Sequence, residues 1–322
     1  HSTQNAQIEI VLDGAGLFRR ASVLEKVQGL TLIPCTEASG GRSGKKPVNH
    51  PLHDKLQYLA KDFTFWGGEV TVGFAKDPAE PYRDYLQSLL DWSAADPHPK
   101  LHAVLTYVQG GNVVADLIQA GILPVGDDGK LLKTWNADKT AAPAIFKVLA
   151  PQQSPDDAFV RWRVEVGDDA NSAPWMDEVL VGSWISHYQR SQEKVGLCMA
   201  TGLQTALAVQ HPAKLRHGGD KAKLISANDS SGYTYRGRFT SDEEALGVGF
   251  VATQKAHNAL RWLIERQGYR NGDQVFVAWE PTGKPIPDPM LATFAAFGGA
   301  SQDWDLGSSH ADAGQAFGLQ LR

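Results

Sequence analysis

The fold of this chain is decided first by the stretch Gln7-Ile8-Glu9-Ile10-Val11-Leu12. Branched and long aliphatic side chains dominate this stretch, and they favour an extended strand. The dipeptide Asp13-Gly14 that follows is a common hairpin turn, and the apolar residues within 17–23 predict a returning strand. The sequence therefore predicts that the chain opens with β-structure.

Further strand patterns lie in the first, middle and last thirds of the chain. The segment Phe159-Val160-Arg161-Trp162-Arg163-Val164-Glu165-Val166 partly alternates charged and apolar residues, which is typical of a strand with one face towards the core. Strands are predicted at 30–34, at 145–149, at 159–166 and, as a buried strand, at 274–279.

Helical patterns lie between these strands. Pro81 opens the clearest of them, because the missing N–H of proline costs nothing in the first turn of a helix, and Asp96-Pro97 ends it. The longest helix is predicted to begin at Ser241, with Glu244 completing a capping box, and to end at Gly268. Helical patterns also cover 53–60, 101–107 and 175–188.

This mixture of strands and helices predicts an α+β fold built from several small subdomains. We divide the sequence into four parts. They are a β-rich part with a basic glycine loop (1–80), a mainly helical part (81–144), an α+β part (145–289) and a tail or linker (290–322).

Composition narrows the class of protein. The chain has 322 residues, 42% of them hydrophobic, and no apolar run of about 18 residues that would predict a membrane span. Two cysteines, Cys35 and Cys198, are too few for a Cys-based zinc site, so we expect core cysteines in a reducing bacterial cytoplasm. The chain begins at His1 without an initiator Met, which predicts that its native start is missing.

Catalytic motifs are incomplete. The sequence departs from the phosphate-binding P-loop motif at two positions. Ser39 stands where the motif has its first glycine, and Lys46 stands where it has Ser or Thr. Two histidine groups, His50 with His53-Asp54 and His98 with His102, lack the neighbouring Glu of a metallohydrolase. No cofactor or metal is predicted. An enzyme that processes phosphates or nucleotides with the Gly40–Lys46 loop stays open as the alternative.

Basic residues concentrate in two places although the net charge is −5. The first basic loop, 39–50, carries Arg42, Lys45 and Lys46 without an acidic residue, and its glycines permit close approach to a phosphate. The second basic segment, 214–238, has six basic residues against two acidic ones, with Tyr233 and Tyr235 interleaved as stacking platforms would be. Its basic residues are Lys214, Arg216, Lys221, Lys223, Arg236 and Arg238. Solvated loops are the plain alternative for both.

A family resemblance favours the binding interpretation. The order and spacing of several motifs over residues 1–290 resemble the large subunit of the type I-C CRISPR Cascade complex. Those motifs are Arg42-Ser43-Gly44-Lys45-Lys46-Pro47, Gly196-Leu197-Cys198-Met199-Ala200-Thr201-Gly202, Ala208-Val209-Gln210-His211-Pro212, Leu224-Ile225-Ser226-Ala227-Asn228, Asn258-Ala259-Leu260-Arg261-Trp262-Leu263 and Pro285-Ile286-Pro287-Asp288-Pro289. The chain departs from the pattern at Ala227, at Gly247 to Phe250, and after Pro47, where Val48 precedes Asn49.

The resemblance implies a non-catalytic subunit that recognises the protospacer-adjacent motif on target duplex DNA, helps to open the strands and recruits the helicase-nuclease. Its implied partners are the guide RNA, target double-stranded DNA, the backbone, 5′-handle-binding and small subunits, and the helicase-nuclease, with no membrane. In such a complex the target sequence is recognised by base pairing with the guide RNA. The protein itself recognises a short motif on the duplex and contacts the nucleic-acid backbones.

We expect Arg42, Lys45, Lys46 and Asn49 to lie near the duplex motif. The second basic segment is expected along the displaced strand, with a neighbouring subunit or the guide RNA as the competing ligand. Its expected contact residues are Lys214, Arg216, Lys221, Lys223, Tyr233, Tyr235 and Arg236.

Overall fold

A computed structural model describes residues 1–42, 44–167, 169–192, 194–217, 220–226, 239 and 245–282. The chain divides into two compact units, which we call unit 1 (His1–Glu193) and unit 2 (Lys194–Arg322). Both units combine helices with small sheets, so the predicted α+β class is confirmed. The finer division into four parts stays a prediction.

Unit 1 contains a four-stranded sheet in the order β3-β2-β6-β5 and a separate two-stranded sheet of β1 and β4. Its strands are β1 (Ser2–Asn5), β2 (Ile8–Asp13), β3 (Phe18–Val23), β4 (Leu30–Ile33), β5 (Asp54–Lys55) and β6 (Phe159–Glu165). The predicted hairpin is confirmed as the antiparallel pair β2–β3. Strand β2 also runs parallel to β6, with Ile10 opposite Trp162. Nearly all side chains of β2 are buried, on both faces of the sheet.

One charged cluster explains how a glutamate and two arginines fit into these buried strands. Glu9 on β2 is 8% exposed, and its carboxylate accepts hydrogen bonds from Arg161 Nε (2.8 Å) and Arg163 Nε (3.0 Å) on β6. The guanidinium of Arg161 also lies 4.1 Å from the ring centroid of Trp175. Glu9 and Arg161 therefore compensate each other's buried charge, and the side chain of Arg163 is partly exposed.

Helices pack against this sheet. Those of unit 1 are α1 (Glu37–Gly40), α2 (Leu56–Leu59), α3 (Glu80–Ala95), α4 (Pro99–Gly110), α5 (Val113–Gln119), α6 (Ala144–Val148) and α7 (Glu178–Arg190). The helix predicted from Pro81 is confirmed as α3, which buries Tyr85, Leu89 and Trp92 on one face. Asp96 forms its C-cap, in agreement with the predicted stop.

Two predictions for unit 1 were wrong. A strand was predicted at 145–149, but residues 144–148 form helix α6. Pro143 is the N-cap residue, and Ile145 alone among the helix residues is buried. A short apolar run without a clear period cannot distinguish the two structures. Helix α2 begins only at Leu56, since Asp54 and Lys55 pair with β6 as strand β5.

The described residues of unit 2 form two hairpins and one long helix. Its elements are β7 (Val195–Leu197), β8 (Gln204–Ala206), α8 (Phe250–Gln267), β9 (Tyr269–Asn271) and β10 (Gln274–Phe276). The longest helix begins at Phe250, which corrects the predicted start at Ser241, because Gly249 is extended and bridges to Leu207. Ser241 and Glu244 lie outside the described residues. The predicted end is confirmed, since Gly268 is the C-cap.

The strand predicted at 274–279 is shorter and more exposed than expected. It ends at Phe276, and the side chains of Phe276 and Trp279 are 44% and 54% exposed. Strand β10 pairs only with β9 among the described strands, so it belongs to a two-stranded hairpin and not to a central sheet. The side chain of Phe276 therefore faces outward instead of into a core. Both cysteines, in contrast, are free and buried as predicted.

A histidine inside unit 1 makes stability depend on pH. His53 is fully buried, and its Nδ1 accepts the backbone N–H of Trp162 (3.1 Å), which keeps the ring neutral. Burial, together with the charge of Arg161, lowers the pKa of His53 from 6.5 to about 3. Below pH 6.5 the unfolded chain therefore binds a proton at this residue that the folded chain does not bind until near pH 3.

We expect this difference to cost unit 1 about 2 kcal/mol of unfolding free energy between pH 7 and pH 5. Urea unfolding at the two pH values should show a smaller loss in His53→Asn, whose amide oxygen can still accept from Trp162. The exposed His102→Asn serves as the control and should retain the wild-type loss. An unchanged pH dependence in His53→Asn would contradict the assignment.

Candidate nucleic-acid interface

The first basic loop is held from inside by Arg42. Its guanidinium forms an ion pair with Asp54, its Nε donates to the carbonyl of Val48 (2.9 Å), and it lies 4.8 Å from the ring centroid of Tyr58. The side chain of Arg42 is only 19% exposed, and that of Asp54 is fully buried. These contacts place Arg42 as a residue that closes the loop.

Asn49 lies beneath the same loop. It is 6% exposed, and its Nδ2 donates to the carbonyl of His50 (3.2 Å) and to Ser88 Oγ (3.4 Å). The structure therefore places the Asn49 amide among protein groups near the middle of α3.

Lys45 and Lys46 are exposed on the outside of the loop. Lys46 Nζ lies 2.5 Å from Glu80 Oε2, in an ion pair whose lysine side chain is 52% exposed. Exposed ion pairs contribute about 0–1 kcal/mol, so a phosphate can replace this carboxylate at small cost. Two lysines of the first basic loop are thus exposed at the surface.

The backbone of this loop rests on a glycine that sequence reasoning missed. A Cβ atom at Gly73 would collide with the carbonyl oxygen of Lys45, so only glycine permits this approach. Gly73 lies in a single 3-10 turn, Val72–Phe74, and the Phe74 ring centroid lies 5.7 Å from Lys46 Nζ. The loop is therefore positioned from both sides, by Arg42 and by Gly73.

The Gly40–Lys46 loop is not followed by the helix that a P-loop requires. A P-loop delivers its lysine to the N-terminus of a following helix, whose backbone N–H groups bind phosphate. Here helix α1 precedes the loop, and the next regular element after Lys46 is strand β5. No group of three or more His, Cys, Asp or Glu suited to a metal occurs within the described residues.

The second basic segment is fixed by Asp220. Arg216 donates to both carboxylate oxygens of Asp220 (2.9 Å each), and Asp220 also accepts the backbone N–H of Ala222 (2.9 Å). These hydrogen bonds, that of Arg216 first, lower the pKa of Asp220 below its ordinary value. Arg216 is therefore bound within the protein, as Arg42 is.

Two of the three other described basic residues of this segment are exposed. Lys221 and Lys223 are exposed and Lys214 is half-buried. Just before the segment, His211 contacts helix α8, with its Nδ1 2.9 Å from Thr253 Oγ1. Tyr233, Tyr235 and Arg236 lie outside the described residues.

Charge is distributed unequally between the two units. Unit 1 has eighteen basic and twenty-four acidic residues, whereas unit 2 has thirteen basic and twelve acidic. A polyanion is therefore repelled less by unit 2, and in unit 1 the basic loop is a local exception.

The sequence matches one family model and no curated protein. The sequence model of the family described as CRISPR-associated protein (Cas_Csd1) matches residues 1–318, which includes both basic segments. No described helix is long and apolar enough to cross a membrane. The chain therefore belongs to the CRISPR-associated protein family Cas_Csd1.

Proposed function

We propose that this chain is the large subunit of a type I-C Cascade complex and that it binds target DNA without catalysing a reaction. The observation that carries the proposal is the construction of the two basic segments. In each, one arginine is bound to a buried carboxylate and fixes the backbone, while lysines remain exposed. Pre-organised cations on a fixed loop suit a phosphate backbone.

The first basic loop, in this proposal, contacts duplex DNA at the protospacer-adjacent motif through Lys45 and Lys46. Arg42 and Asn49 act as positioning residues, since both are engaged with protein groups. Lys214, Lys221 and Lys223 follow the backbone of the displaced strand, with Arg216 holding their segment. Tyr233, Tyr235 and Arg236 stay predicted contacts of the same strand.

The proposed partners follow from this role. The chain assembles with the guide RNA and with the backbone, 5′-handle-binding and small subunits, assists strand opening and recruits the helicase-nuclease. The protein works in the bacterial cytoplasm in this proposal.

The test is the double variant Lys45→Ala/Lys46→Ala in the assembled complex. Loss of two phosphate contacts should reduce the slope of log affinity against log salt by about two units for target duplex DNA. Lys139→Ala/Lys147→Ala, which removes two exposed lysines elsewhere in unit 1, should leave the slope unchanged. Unaltered affinity and slope in the loop variant would contradict the proposed contact, and release of phosphate from nucleotides by the wild-type chain would favour the enzyme alternative.

A further inference from the structure

The hairpin β9–β10 presents an unusual face. Tyr269 lies opposite Phe276 in its register and Asn271 lies opposite Gln274, and side chains of directly opposed residues share a face. Tyr269 is 45% and Phe276 is 44% exposed. Both amide residues are exposed as well. One outward face therefore combines two aromatic rings with two amides.

The opposite face of the hairpin holds it against helix α8. Val275, which precedes Phe276 in β10, lies on this opposite face. Its Cγ1 lies 2.9 Å from the position that a Cβ on Gly268 would take. Gln267, at the end of α8, donates a hydrogen bond to the carbonyl of Ala278 just after β10. The outward rings are thus carried on a fixed support instead of a free loop.

The second basic segment is attached to the same hairpin. Arg270 donates to the carbonyl of Arg216 (2.8 Å), and Arg216 donates to the carbonyl of Asp273 in the hairpin turn. The two exposed lysines, Lys221 and Lys223, therefore belong to a segment joined directly to the aromatic hairpin. The ranges 211–217, 220–226 and 269–276 together contain five Lys or Arg residues and two Asp residues.

We propose that this hairpin face is a stacking site for unpaired bases of a single-stranded nucleic acid, with the second basic segment holding the backbone beside it. Unpaired bases stack on exposed aromatic rings, whereas bases of an intact duplex are covered by their neighbours. Asn and Gln side chains can bond the exposed base edges of an opened strand. The inference rests on the proposed function and adds a site and a ligand class to it.

A protein partner fits the same face less well. Lysines are depleted in protein–protein interfaces, and the core of such an interface excludes amides that lack a matching partner. Here the hairpin that carries the rings is joined to a segment with two exposed lysines, which complements a polyanion. Charge therefore favours nucleic acid as the occupant.

The test uses the full chain and a 2-aminopurine-labelled single-stranded DNA of about 15 nucleotides. Tyr269→Ala/Phe276→Ala should weaken binding by about 10- to 100-fold and abolish the quenching that stacking produces. Tyr269→Phe, which keeps the ring, should bind as the wild type does. Phe65→Ala removes a ring that is 67% exposed in unit 1 and should also leave binding unchanged. Circular dichroism of the double variant checks that these surface changes leave the fold intact.

Three outcomes overturn the inference. These are unchanged affinity of the double variant, no binding of single-stranded DNA by the wild-type chain, and normal binding of DNA with failure to assemble with the other subunits. The last would identify the face as a protein contact. The Lys45 and Lys46 test measures contacts of unit 1 with duplex DNA, whereas this test measures contacts of unit 2 with single-stranded DNA. This inference can therefore fail while that test of the proposed function succeeds.

Discussion

Replacing Arg42 by Ala is expected to lower the unfolding free energy of the chain by about 3–5 kcal/mol. Asp54 is fully buried, and Arg42 is the cation paired with it. The carboxylate also accepts the backbone N–H groups of His50 and Lys55, at 2.7 Å each, but these dipoles do not neutralise its charge. Removing the arginine therefore leaves a buried charge without its counter-ion, which costs far more than a lost surface contact.

The pH dependence distinguishes this effect from a loss of packing. Burial raises the pKa of Asp54, and Arg42 opposes that rise. Without the arginine the folded chain binds a proton at Asp54 more readily than the unfolded chain does, so acid relieves the penalty. Urea unfolding should show a smaller deficit for Arg42→Ala at pH 5 than at pH 8.

The double variant Arg42→Ala/Asp54→Asn is the control for this prediction. It removes both charges, and we expect it to recover more than half of the lost stability. A deficit that is equal at both pH values, together with no recovery in the double variant, would show that the ion pair does not stabilise the loop. Arg42 would then be free to act as a direct nucleic-acid contact.

Replacing Lys100 by Met is expected to cost about 3 kcal/mol or more. Lys100 is 1% exposed, and its Nζ lies 2.5 Å from Asp177 Oδ2 and 2.8 Å from Asp169 Oδ2. Asp177 is also the N-cap of α7 and accepts the N–H groups of Val179 and Leu180. Losing the lysine therefore leaves a largely buried carboxylate unpaired at the point where α4 and α7 are joined.

The matching experiment compares Lys100→Met with Lys147→Met, which changes an exposed lysine of the same unit. Thermal and urea unfolding should show the loss only in the first. Adding Asp177→Asn should restore part of it, because Asn also caps helices well and carries no charge. Equal stability of the two single variants would mean that Lys100 adds nothing to the packing of α4 against α7.

Local patterns in the sequence predicted much of the fold. The turn at Asp13-Gly14, the N-terminal proline of α3 and the glycine stop of α8 each act within a few residues, so the sequence alone reveals them. The strand predicted at 145–149 was wrong because a short apolar run has no periodicity that distinguishes a strand from a helix. Strand β1 was missed because its polar residues are extended only through pairing with β4.

The roles within the basic segments depend on contacts between distant residues. Sequence spacing grouped Arg42 with Lys45 and Lys46 as equal contacts, and the buried position of Asp54, which commits Arg42 to the protein, is a property of the folded chain. The same holds for Gly73 beneath Lys45. The exposure of Tyr269 and Phe276 could not be predicted either, because an apolar strand is usually buried, whereas this one belongs to a two-stranded hairpin in the described part of the chain.

Photo-crosslinking of the assembled complex tests the central claim most directly. A photoreactive phenylalanine is placed at Lys45 in one variant, at Lys221 in a second and at Lys147 in a third, and each complex is irradiated with target DNA. We predict adducts with DNA from the first two positions and none from Lys147. Adducts from Lys45 and Lys221 with protein subunits alone, while the complex still binds its target, would contradict the claim that these segments contact nucleic acid.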